Sequence, residues 1–330
     1  MKLFQLGGYR KNRYEERPTR VFVTGATGYI GQAVVRELAR AGCEVTGLTR
    51  WAERTLDVAD LGARAIVGDL RSSDSFRRVA AKHDVLIHLA AVSSPDRAEV
   101  DRGAIDALLW AARQFDRKKG EPPRLVVYTS GCFVLGETGD SPADEDALVE
   151  RPAEVVAWRP EHERRVLQAA SEDVRTAVVR PGIVYGGRGG LIGAFFRSAE
   201  QEGHAVLVGE GRNRWSPVYL GDLARLYRLI VEQRADGIFH AAEETGTPVI
   251  ELARAASRAA GRDGAVRSIP LDEARRTMGA LADALALDQV VASNRSREVL
   301  GWWHEHPRFV DSADALYREW KGEAGAPVGT

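Results

Sequence analysis

The chain has 330 residues, of which 44% are hydrophobic and 28% charged, and its formal net charge is −1. These values are ordinary for a soluble globular protein and give no reason to expect nucleic acid or an anionic membrane as a partner. Two cysteines are too few for a disulfide framework or a metal cage and suit a reducing compartment. We therefore expect a cytoplasmic protein without a metal site.

The two ends of the chain differ from the rest. The first 20 residues are rich in arginine and lysine and lack the apolar segment of a secretory signal. We predict a flexible arm over residues 1–19 and a tail over residues 321–330. No apolar run approaches the ~18–20 residues that span a bilayer.

From Arg20 to about residue 180, short apolar runs alternate with amphipathic segments, and one further apolar run follows near residue 240. The predicted strands are Arg20–Thr24, Glu44–Leu48, Ala65–Val67, Asp84–Leu89, Arg124–Thr129, Val174–Arg180 and Ile238–Ala241. The predicted helices are Gly28–Ala41, Ser72–Lys82, Ala98–Phe115, Arg151–Ala170, Val249–Ala260 and Ala280–Leu285. This alternation predicts an α/β fold with a doubly wound parallel sheet of the Rossmann type, with ligands at the edge where the strands end.

The alternation stops after Arg180, where a glycine-rich loop follows at Gly186–Gly190. We predict that residues 20–185 and 218–242 form a nucleotide-binding domain. Residues 186–217 and 243–320 are predicted to form a smaller C-terminal substrate-binding lobe.

A glycine-rich turn joins the first predicted strand to the first helix. Gly25 permits the tight turn, Gly28 lets the backbone approach a pyrophosphate, and Gly31 lets the helix pack closely on the sheet. The helix N-terminus supplies N–H groups and the positive end of its dipole to the phosphates. The residues predicted to contact a dinucleotide here are Gly25, Thr27, Gly28, Tyr29, Ile30 and Gly31.

The end of the second strand indicates which dinucleotide is preferred. NAD-selective sites usually carry an acidic residue there, but this chain has Thr49 and Arg50, with Arg54 nearby. Cationic side chains favour a 2′-phosphate, so we predict NADP rather than NAD, which remains the alternative. The competing interpretation is that Arg50 is a solvated surface residue. The residues predicted near the adenine and along the cofactor trough are Asp69, Leu70, Ala90 and Ala91.

Together with these residues, several further segments resemble the extended short-chain dehydrogenase/reductase family, also called the NAD-dependent epimerase/dehydratase family. The segments are Gly68–Leu70, His88–Ala91, Tyr128–Gly131, Arg180–Gly186, Arg214–Trp215 and Val218–Ala224. The resemblance covers most of residues 20–320. It implies a Rossmann fold, redox, epimerase or dehydratase activity, and a nicotinamide that lies against the segment containing Pro181.

The family moves protons with a Ser or Thr, a Tyr and a Lys. Counting from the family's landmarks places these positions at Gly131, Val155 and Arg159 in this chain. Residues 150–170 contain neither Tyr nor Lys, so the usual proton path is not expected. Arg159 keeps a positive charge but does not shuttle protons at neutral pH; it is a candidate for holding the nicotinamide ribose.

Other groups are candidates for the missing acid. Ser130 and Cys132 flank the vacant hydroxyl position, and Tyr185 and Tyr219 are predicted near the cofactor and the substrate lobe. Alternatively, Cys132 is a small buried hydrophobe and Tyr219 packs at a hinge between the two parts. His162 lies nearly a turn beyond Arg159, and we expect it to face solvent.

Three residues are candidates for substrate binding. Arg214 suits an anionic or carbonyl-bearing substrate, unless it forms an ion pair with Asp222 or another nearby acid. Trp158 and Trp215 suit an apolar substrate wall, with a place in the core as the alternative.

Three functions fit this pattern. The first is an NADP-dependent oxidoreductase, or an epimerase or dehydratase, that uses a relocated acid on a small carbonyl- or hydroxyl-bearing substrate. The second is a redox-silent isomerase or cyclase that uses the inherited pocket. The third is a binding protein that senses nucleotides. We favour the first, and the sequence allows a homodimer.

Overall fold

The computed structural model describes residues 17–114, 120–243 and 246–323. Most of the predicted arm and tail, and the last residue of the helix predicted at Ala98–Phe115, lie outside the described residues. The strands in chain order are β1 (Arg20–Thr24), β2 (Glu44–Thr49), β3 (Arg64–Val67), β4 (Val85–His88), β5 (Arg124–Thr129), β6 (Val174–Pro181), β7 (Ile183–Tyr185), β8 (Ala205–Val208), β9 (Arg214–Trp215), β10 (Pro217–Tyr219), β11 (Gly237–Ala241), β12 (Thr247–Pro248) and β13 (Val266–Ile269).

Helices connect most of these strands. In chain order they are α1 (Tyr29–Arg40), α2 (Thr55–Ala59), α3 (Arg77–Ala80), α4 (Arg97–Arg113), α5 (Arg159–Leu167), α6 (Gly193–Glu202), α7 (Leu220–Gln233), α8 (Val249–Ala259), α9 (Leu271–Met278), α10 (Ala280–Ala286), α11 (Asn294–Leu300) and α12 (Phe309–Lys321). Among the described residues, no helix combines the length and apolar character needed to cross a membrane.

Seven of the described strands form one parallel sheet in the order β3-β2-β1-β4-β5-β6-β11. The order reverses between β1 and β4, which is where ligands bind in doubly wound sheets. The predicted fold class is thus confirmed. In this register Thr24, His88 and Tyr128 lie side by side near the ends of β1, β4 and β5.

The two faces of this sheet are covered by different helices. Side chains alternate along β1, so Val21 and Val23 pack with α1 and α7, whereas Phe22 packs with α3 and α4. Leu38 of α1 is completely buried in the first of these cores. The double cover therefore buries the middle of the central strands in apolar layers on both faces.

The shorter strands build a third core beside the sheet. They pair as β10 with β7, β12 with β9 and β13 with β8. Phe195, Trp215, Leu252 and Phe309 are buried together in this core, which also contains Tyr185. The predicted division into a nucleotide-binding domain and a substrate lobe remains a prediction.

Two predicted helices are shorter than expected. The region predicted as one helix over Arg151–Ala170 contains a 3₁₀ turn at Glu154–Val156, and α5 begins only at Arg159. Pro160 explains the difference, because proline lacks an N–H and is tolerated in the first turn of a helix but not in its interior. The region Ser72–Lys82 similarly contains a 3₁₀ turn followed by the short α3.

Candidate functional site

A cleft of about 430 Å³ lies at the carboxyl edge of the sheet, beside the reversal between β1 and β4. It is formed by the turns that follow β1, β2, β3 and β4. Its described lining residues are Gly25, Thr27, Leu48, Arg50, Gly68, Asp69, Leu70, Arg71, Ala90, Ala91, Val92, Ser93 and Ser94. The residues predicted along the adenine and the trough, from Asp69 to Ala91, are therefore brought together with part of the glycine turn.

The glycine turn is too crowded for side chains. A Cβ atom on Gly25 would lie 2.6 Å from the Ala90 nitrogen, and one on Gly31 would lie 1.9 Å from the Gly25 oxygen. Gly25 also has a φ of +73°, which glycine adopts at no steric cost. Gly28 caps α1 with no side chain of its own, so the first N–H groups of the helix face the cleft turn. This cradle fits the pyrophosphate of a dinucleotide.

Tyr29 and Ile30 follow the turn and reach a different part of the site. The Tyr29 hydroxyl donates a hydrogen bond of 2.8 Å to the Gly186 oxygen, which ties α1 to the second glycine-rich loop. Both residues line a second cavity rather than the cleft. Burial first, and then the charge of Glu319, raise the pKa of Tyr29 above its usual value.

The end of β2 carries the residues predicted to select the nucleotide. Thr49 is buried and its hydroxyl donates to the Trp51 oxygen at 3.2 Å. Arg50 is exposed, lines the cleft and lies over the Trp51 ring at 4.6 Å. Arg54 donates to the Thr27 oxygen at 3.3 Å and pairs with Asp57 at 2.8 Å. Arg50 is therefore available to a ligand, whereas Arg54 braces the glycine turn.

The second cavity, of about 240 Å³, lies between the ends of β5 and β6 and the start of α1. Pro181, the last residue of β6, lines it, and its contact with a nicotinamide remains a prediction. The remaining described lining residues are Tyr29, Ile30, Ser130, Gly131, Cys132, Phe133, Gly182, Ile183, Val184, Gly190, Leu191 and Gln289. None of these described residues carries a formal charge at neutral pH.

Ser130 is the polar group of this cavity that lacks a partner. Its side chain is 7% exposed, and its Oγ atom is buried without a hydrogen bond among the described residues. Cys132 differs, since its thiol donates to the Arg180 oxygen at 3.2 Å and burial raises its pKa well above the usual value. A buried hydroxyl without a partner is costly, and a ligand that accepts its proton would remove the cost.

Arg159 lies at the start of α5, next to the end of β5. Its Nη1 atom donates to the Thr129 oxygen at 2.7 Å and to the Tyr128 hydroxyl at 3.4 Å. The guanidinium also lies 4.7 Å from the Trp158 ring centroid. Arg159 is therefore held at the end of β5, beside Thr129, the residue that precedes Ser130.

The two tyrosines predicted as acids do not line this cavity. Tyr185 is 1% exposed, and its hydroxyl donates to Glu243 Oε1 at 2.5 Å. Burial raises the pKa of Tyr185 far above its usual value. Burial, with the charge of Glu319, raises the pKa of Tyr219 to about 12, and its ring stacks on His306 at 3.9 Å. In these surroundings both hydroxyls are weaker acids than ordinary tyrosines.

The three predicted substrate residues are also separated from the cavity. Arg214 pairs with Asp288 through both carboxylate oxygens, at 2.9 and 2.5 Å. An acidic partner was one of the predicted alternatives, but it is Asp288 rather than Asp222. Trp215 is buried against Phe195 in the third core. Trp158 packs edge-on against His162 at 4.9 Å.

Sequence reasoning missed three buried polar residues near the site. The expectation that His162 faces solvent is wrong, because it is 4% exposed and hydrogen-bonded to Asp101 at 2.7 Å. Gln289 holds the turn after β5 by donating to the Cys132 and Gly136 oxygens. Glu243 accepts a hydrogen bond from the Tyr185 hydroxyl. Asp101 within an otherwise apolar helical face was the one available sequence signal.

Comparison with known proteins gives consistent results. The family model described as the NAD dependent epimerase/dehydratase family matches residues 21–242. The uncharacterised protein C2A9.02 of Schizosaccharomyces pombe is 30% identical over 306 residues, covering 90% of this chain and 99% of that protein. A dTDP-4-dehydro-6-deoxy-D-allose reductase of Streptomyces bikiniensis is 26% identical over 333 residues, covering 87% of this chain and 97% of the reductase.

A solved structure shows the same architecture. The UDP-glucose 4-epimerase of Thermotoga maritima, crystallised with UDP-glucose, matches with a TM-score of 0.77 at 18% identity. The match covers 92% of this chain and 99% of the epimerase chain. At this identity the likeness concerns the fold, while the family match extends over more than half of the sequence. The chain therefore belongs to the NAD-dependent epimerase/dehydratase family.

Proposed function

We propose that this protein is an NADP(H)-dependent oxidoreductase that acts on a small substrate with a carbonyl or hydroxyl group. The observation that carries the proposal is the buried, unpartnered hydroxyl of Ser130, a residue that lines the cavity formed in part by Pro181. The family match supports a nicotinamide cofactor. The cradle around Gly25 and Gly31 supports its pyrophosphate.

The residues of the cleft favour NADP over NAD. Arg50 is exposed and lines the cleft at the end of β2, where NAD-selective sites usually carry a carboxylate. A guanidinium there binds a 2′-phosphate through charge-assisted hydrogen bonds. Gly25, Gly28 and the start of α1 would hold the pyrophosphate, and Arg159 would hold the nicotinamide ribose.

The chemistry divides between the cofactor and this chain's own residues. A bound reduced nicotinamide supplies a hydride to a carbonyl carbon, and the oxidised form accepts one from an alcohol. Ser130 donates a hydrogen bond to the substrate oxygen and so stabilises the negative charge that develops there. Tyr29, Gly190 and Leu191 are partly or fully exposed at the cavity, which gives water access to supply the proton.

The size and charge of the cavity support a small, uncharged substrate. Its volume of about 240 Å³ lies below the ~300–1,000 Å³ of sites for drug-sized ligands. The candidate for gripping an anion, Arg214, is neutralised by Asp288. A small aldehyde or ketone therefore suits this site better than a nucleotide sugar.

A redox-silent isomerase or cyclase is the second candidate. It is favoured by the absence of Tyr and Lys from residues 150–170, which removes the usual proton path. Such an enzyme works by positioning and electrostatic stabilisation, and Ser130 suits that role as well. A nucleotide-sensing protein would bind the cofactor and turn over no substrate.

The variant Ser130→Ala tests the proposed role of the hydroxyl. We expect kcat for carbonyl reduction to fall about 10²-fold, as for loss of one donor to a developing oxyanion, while the Kd for NADPH stays unchanged. Ser312→Ala on α12 is the matched control and should change neither value. Full activity in Ser130→Ala would show that this hydroxyl does not serve the reaction.

A gain of function supplies a second test at the neighbouring position. A Cβ on Gly131 would lie 4.0 Å from the Pro181 oxygen, an ordinary van der Waals contact, and the Gly131 φ is extended. Gly131→Ser therefore fits without strain and returns a hydroxyl to the family's position. We expect it to restore part of the activity lost in Ser130→Ala.

A further inference from the structure

A buried polar network lies between the sheet and the helices α4 and α5, beneath the candidate site. Asp101 of α4 is at its centre and is 5% exposed. Its Oδ1 atom is 3.2 Å from His88 Nε2, and its Oδ2 atom is 2.7 Å from His162 Nδ1. The Tyr128 hydroxyl donates to the same Oδ2 atom at 3.0 Å. The network joins residues from two strands and two helices.

One assignment of protons satisfies the whole network. Asp101 is ionised and accepts from His88 Nε2–H, His162 Nδ1–H and the Tyr128 hydroxyl. The other ring nitrogen of His88 then accepts from the Thr24 hydroxyl at 2.6 Å. Burial by itself would raise the pKa of Asp101, but hydrogen bonds from His162 and His88 hold the pKa well below its usual value.

The network continues to Arg159. Because Tyr128 gives its proton to Asp101, the lone pairs of its oxygen are free to accept from Arg159 Nη1, which lies 3.4 Å away. The same Nη1 atom donates to the Thr129 oxygen at 2.7 Å. Two hydrogen bonds therefore fix the Arg159 guanidinium, one to the Tyr128 hydroxyl and one to the Thr129 oxygen at the end of β5.

We propose that Asp101 is a positioning residue that orients Arg159, through Tyr128, toward the nicotinamide half of the cofactor. This inference rests on the proposed function, which places Arg159 against the nicotinamide ribose. Asp101 is not among the described residues that line the cleft or the second cavity. It fixes the direction in which Tyr128 donates and thereby the position that the guanidinium occupies.

The charge balance supports a positioning role over simple packing. A buried carboxylate costs several kcal/mol unless it is fully hydrogen-bonded, and an apolar side chain would cover the same core at lower cost. The surrounding core, with Ile105, Leu108 and Val166, is apolar. Three donors converge on Asp101 here, and one of them, the Tyr128 hydroxyl, also contacts the Arg159 guanidinium.

The test compares the binding of NADPH with that of adenosine 2′-phosphate 5′-diphosphate, which lacks both the nicotinamide and its ribose, using the full-length protein. The measured quantity is the ratio of the two dissociation constants, so a general loss of stability cancels. Arg159→Met should lower the preference for NADPH about tenfold, as expected for a hydrogen bond to a charged group. Asp101→Asn and Tyr128→Phe should lower it in the same direction, each by no more than Arg159→Met.

A double variant shows whether the three residues act together. Asp101→Asn in the Arg159→Met background should cause no further change, because coupled residues are not additive. Tyr128→Phe keeps both histidine–carboxylate bonds, so it tests the link even where Asp101→Asn unfolds. His83→Asn is the matched control, since this buried histidine bonds to Thr46 and Val79 instead; it should leave the ratio unchanged.

The outcomes separate this proposal from the one on which it rests. If Arg159→Met leaves the ratio unchanged, the placement of Arg159 at the nicotinamide is wrong and both fall. If Arg159→Met lowers the ratio but Asp101→Asn and Tyr128→Phe do not, only the positioning role is overturned. Equal effects of Asp101→Asn in both backgrounds would also overturn it.

Discussion

At the scale of single residues, the preference between two cofactors depends on the charge at the end of β2. Thr49 is buried and uses its hydroxyl within its own turn, so it offers nothing to a ribose. Arg50 extends from the next position into the cleft. The 2′-phosphate of NADP carries the charge that an exposed guanidinium binds, and NAD does not.

We predict that Arg50→Ala weakens NADPH binding by about 1–3 kcal/mol and leaves NADH binding unchanged, because only the phosphate contact is lost. Titration of both nucleotides by fluorescence measures the two affinities. Arg36→Ala, an exposed arginine of α1, is the control for the same change in net charge. A parent protein that prefers NADH, or unaltered NADPH binding in Arg50→Ala, would contradict the assignment.

Single residues were predictable from the sequence where local geometry decides their role. Gly25 and Gly31 are required by the turn itself, and the structure places them as expected. The partner of Arg214 was not predictable, because Asp288 lies 74 residues away and is brought close only by the fold. The burial of His162 depends in the same way on Asp101, which comes from another helix.

At the scale of elements, the glycines of the turn between β1 and α1 are explained directly by the close backbone contacts that the turn makes. Three backbone segments meet there: the turn, the start of α1 and the residues after β4 at Ala90. Glycine is needed because the approach is between backbones, which leaves no room for a Cβ.

We predict that Gly28→Val folds but no longer binds NADPH. Its Cβ would lie 3.1 Å from the Gly25 oxygen, a contact that a small shift relieves, while the branched side chain enters the pyrophosphate path. Gly31→Ala should instead destabilise the protein by at least about 1–3 kcal/mol, since its Cβ overlaps the Gly25 oxygen. Circular dichroism melting and nucleotide titration distinguish the two effects.

Gly103→Val on α4 is the control for this pair, because no atom lies within 4 Å of its added Cβ. It should bind NADPH normally. Normal binding by a folded Gly28→Val would mean that the pyrophosphate lies elsewhere.

Elements were predictable where apolar periodicity is strong. The strands β1 and β5 begin and end as predicted, β6 extends one residue further, and β4 is one residue shorter at each end. The predicted helix over Arg151–Ala170 was too long because Pro160 lies in the first turn of α5, where proline is tolerated, rather than in a helix interior. The content of the third core depends on pairings between short strands, such as β13 with β8, which no local pattern reveals.

At the scale of the whole molecule, one buried acid connects three distant segments. Glu243 follows β11 and is 2% exposed. It accepts a hydrogen bond from the hydroxyl of Tyr185 in β7. The same hydroxyl lies 3.3 Å from the oxygen of Pro307, which precedes α12. Burial raises the pKa of Glu243 to about 7, although the Tyr185 hydrogen bond and the charge of Arg308 oppose the shift.

This shift predicts a stability that falls as pH rises. Between the unfolded pKa near 4.5 and the folded pKa of about 7, the native state binds a proton that the unfolded state has released. The contribution of protonated Glu243 is therefore complete below about pH 4.5 and is lost as pH rises through 7. The full change is about 3 kcal/mol.

We predict that Glu243→Gln, which stays neutral at every pH, gains stability relative to the parent as pH rises from 5 to 8. Urea unfolding across this range measures the difference. Glu251→Gln, at an exposed position of α8, is the control and should show no such trend. A difference that is constant with pH would show that Glu243 does not titrate in this range.

The central claim is that a bound NADPH transfers hydride to a small carbonyl compound in the cavity beside Ser130. The most direct measurement incubates the protein with NADPH deuterated at C4 and a panel of short aliphatic and aromatic aldehydes and ketones, followed by mass spectrometry of the products. Because residues 150–170 supply no Tyr or Lys, we expect slow reduction with a narrow range of substrates. The few products should carry deuterium, and Ser130→Ala should form them more slowly. Tight NADPH binding without deuterium in any product would contradict hydride transfer, and rapid reduction across the whole panel would contradict the inference from the missing Tyr and Lys.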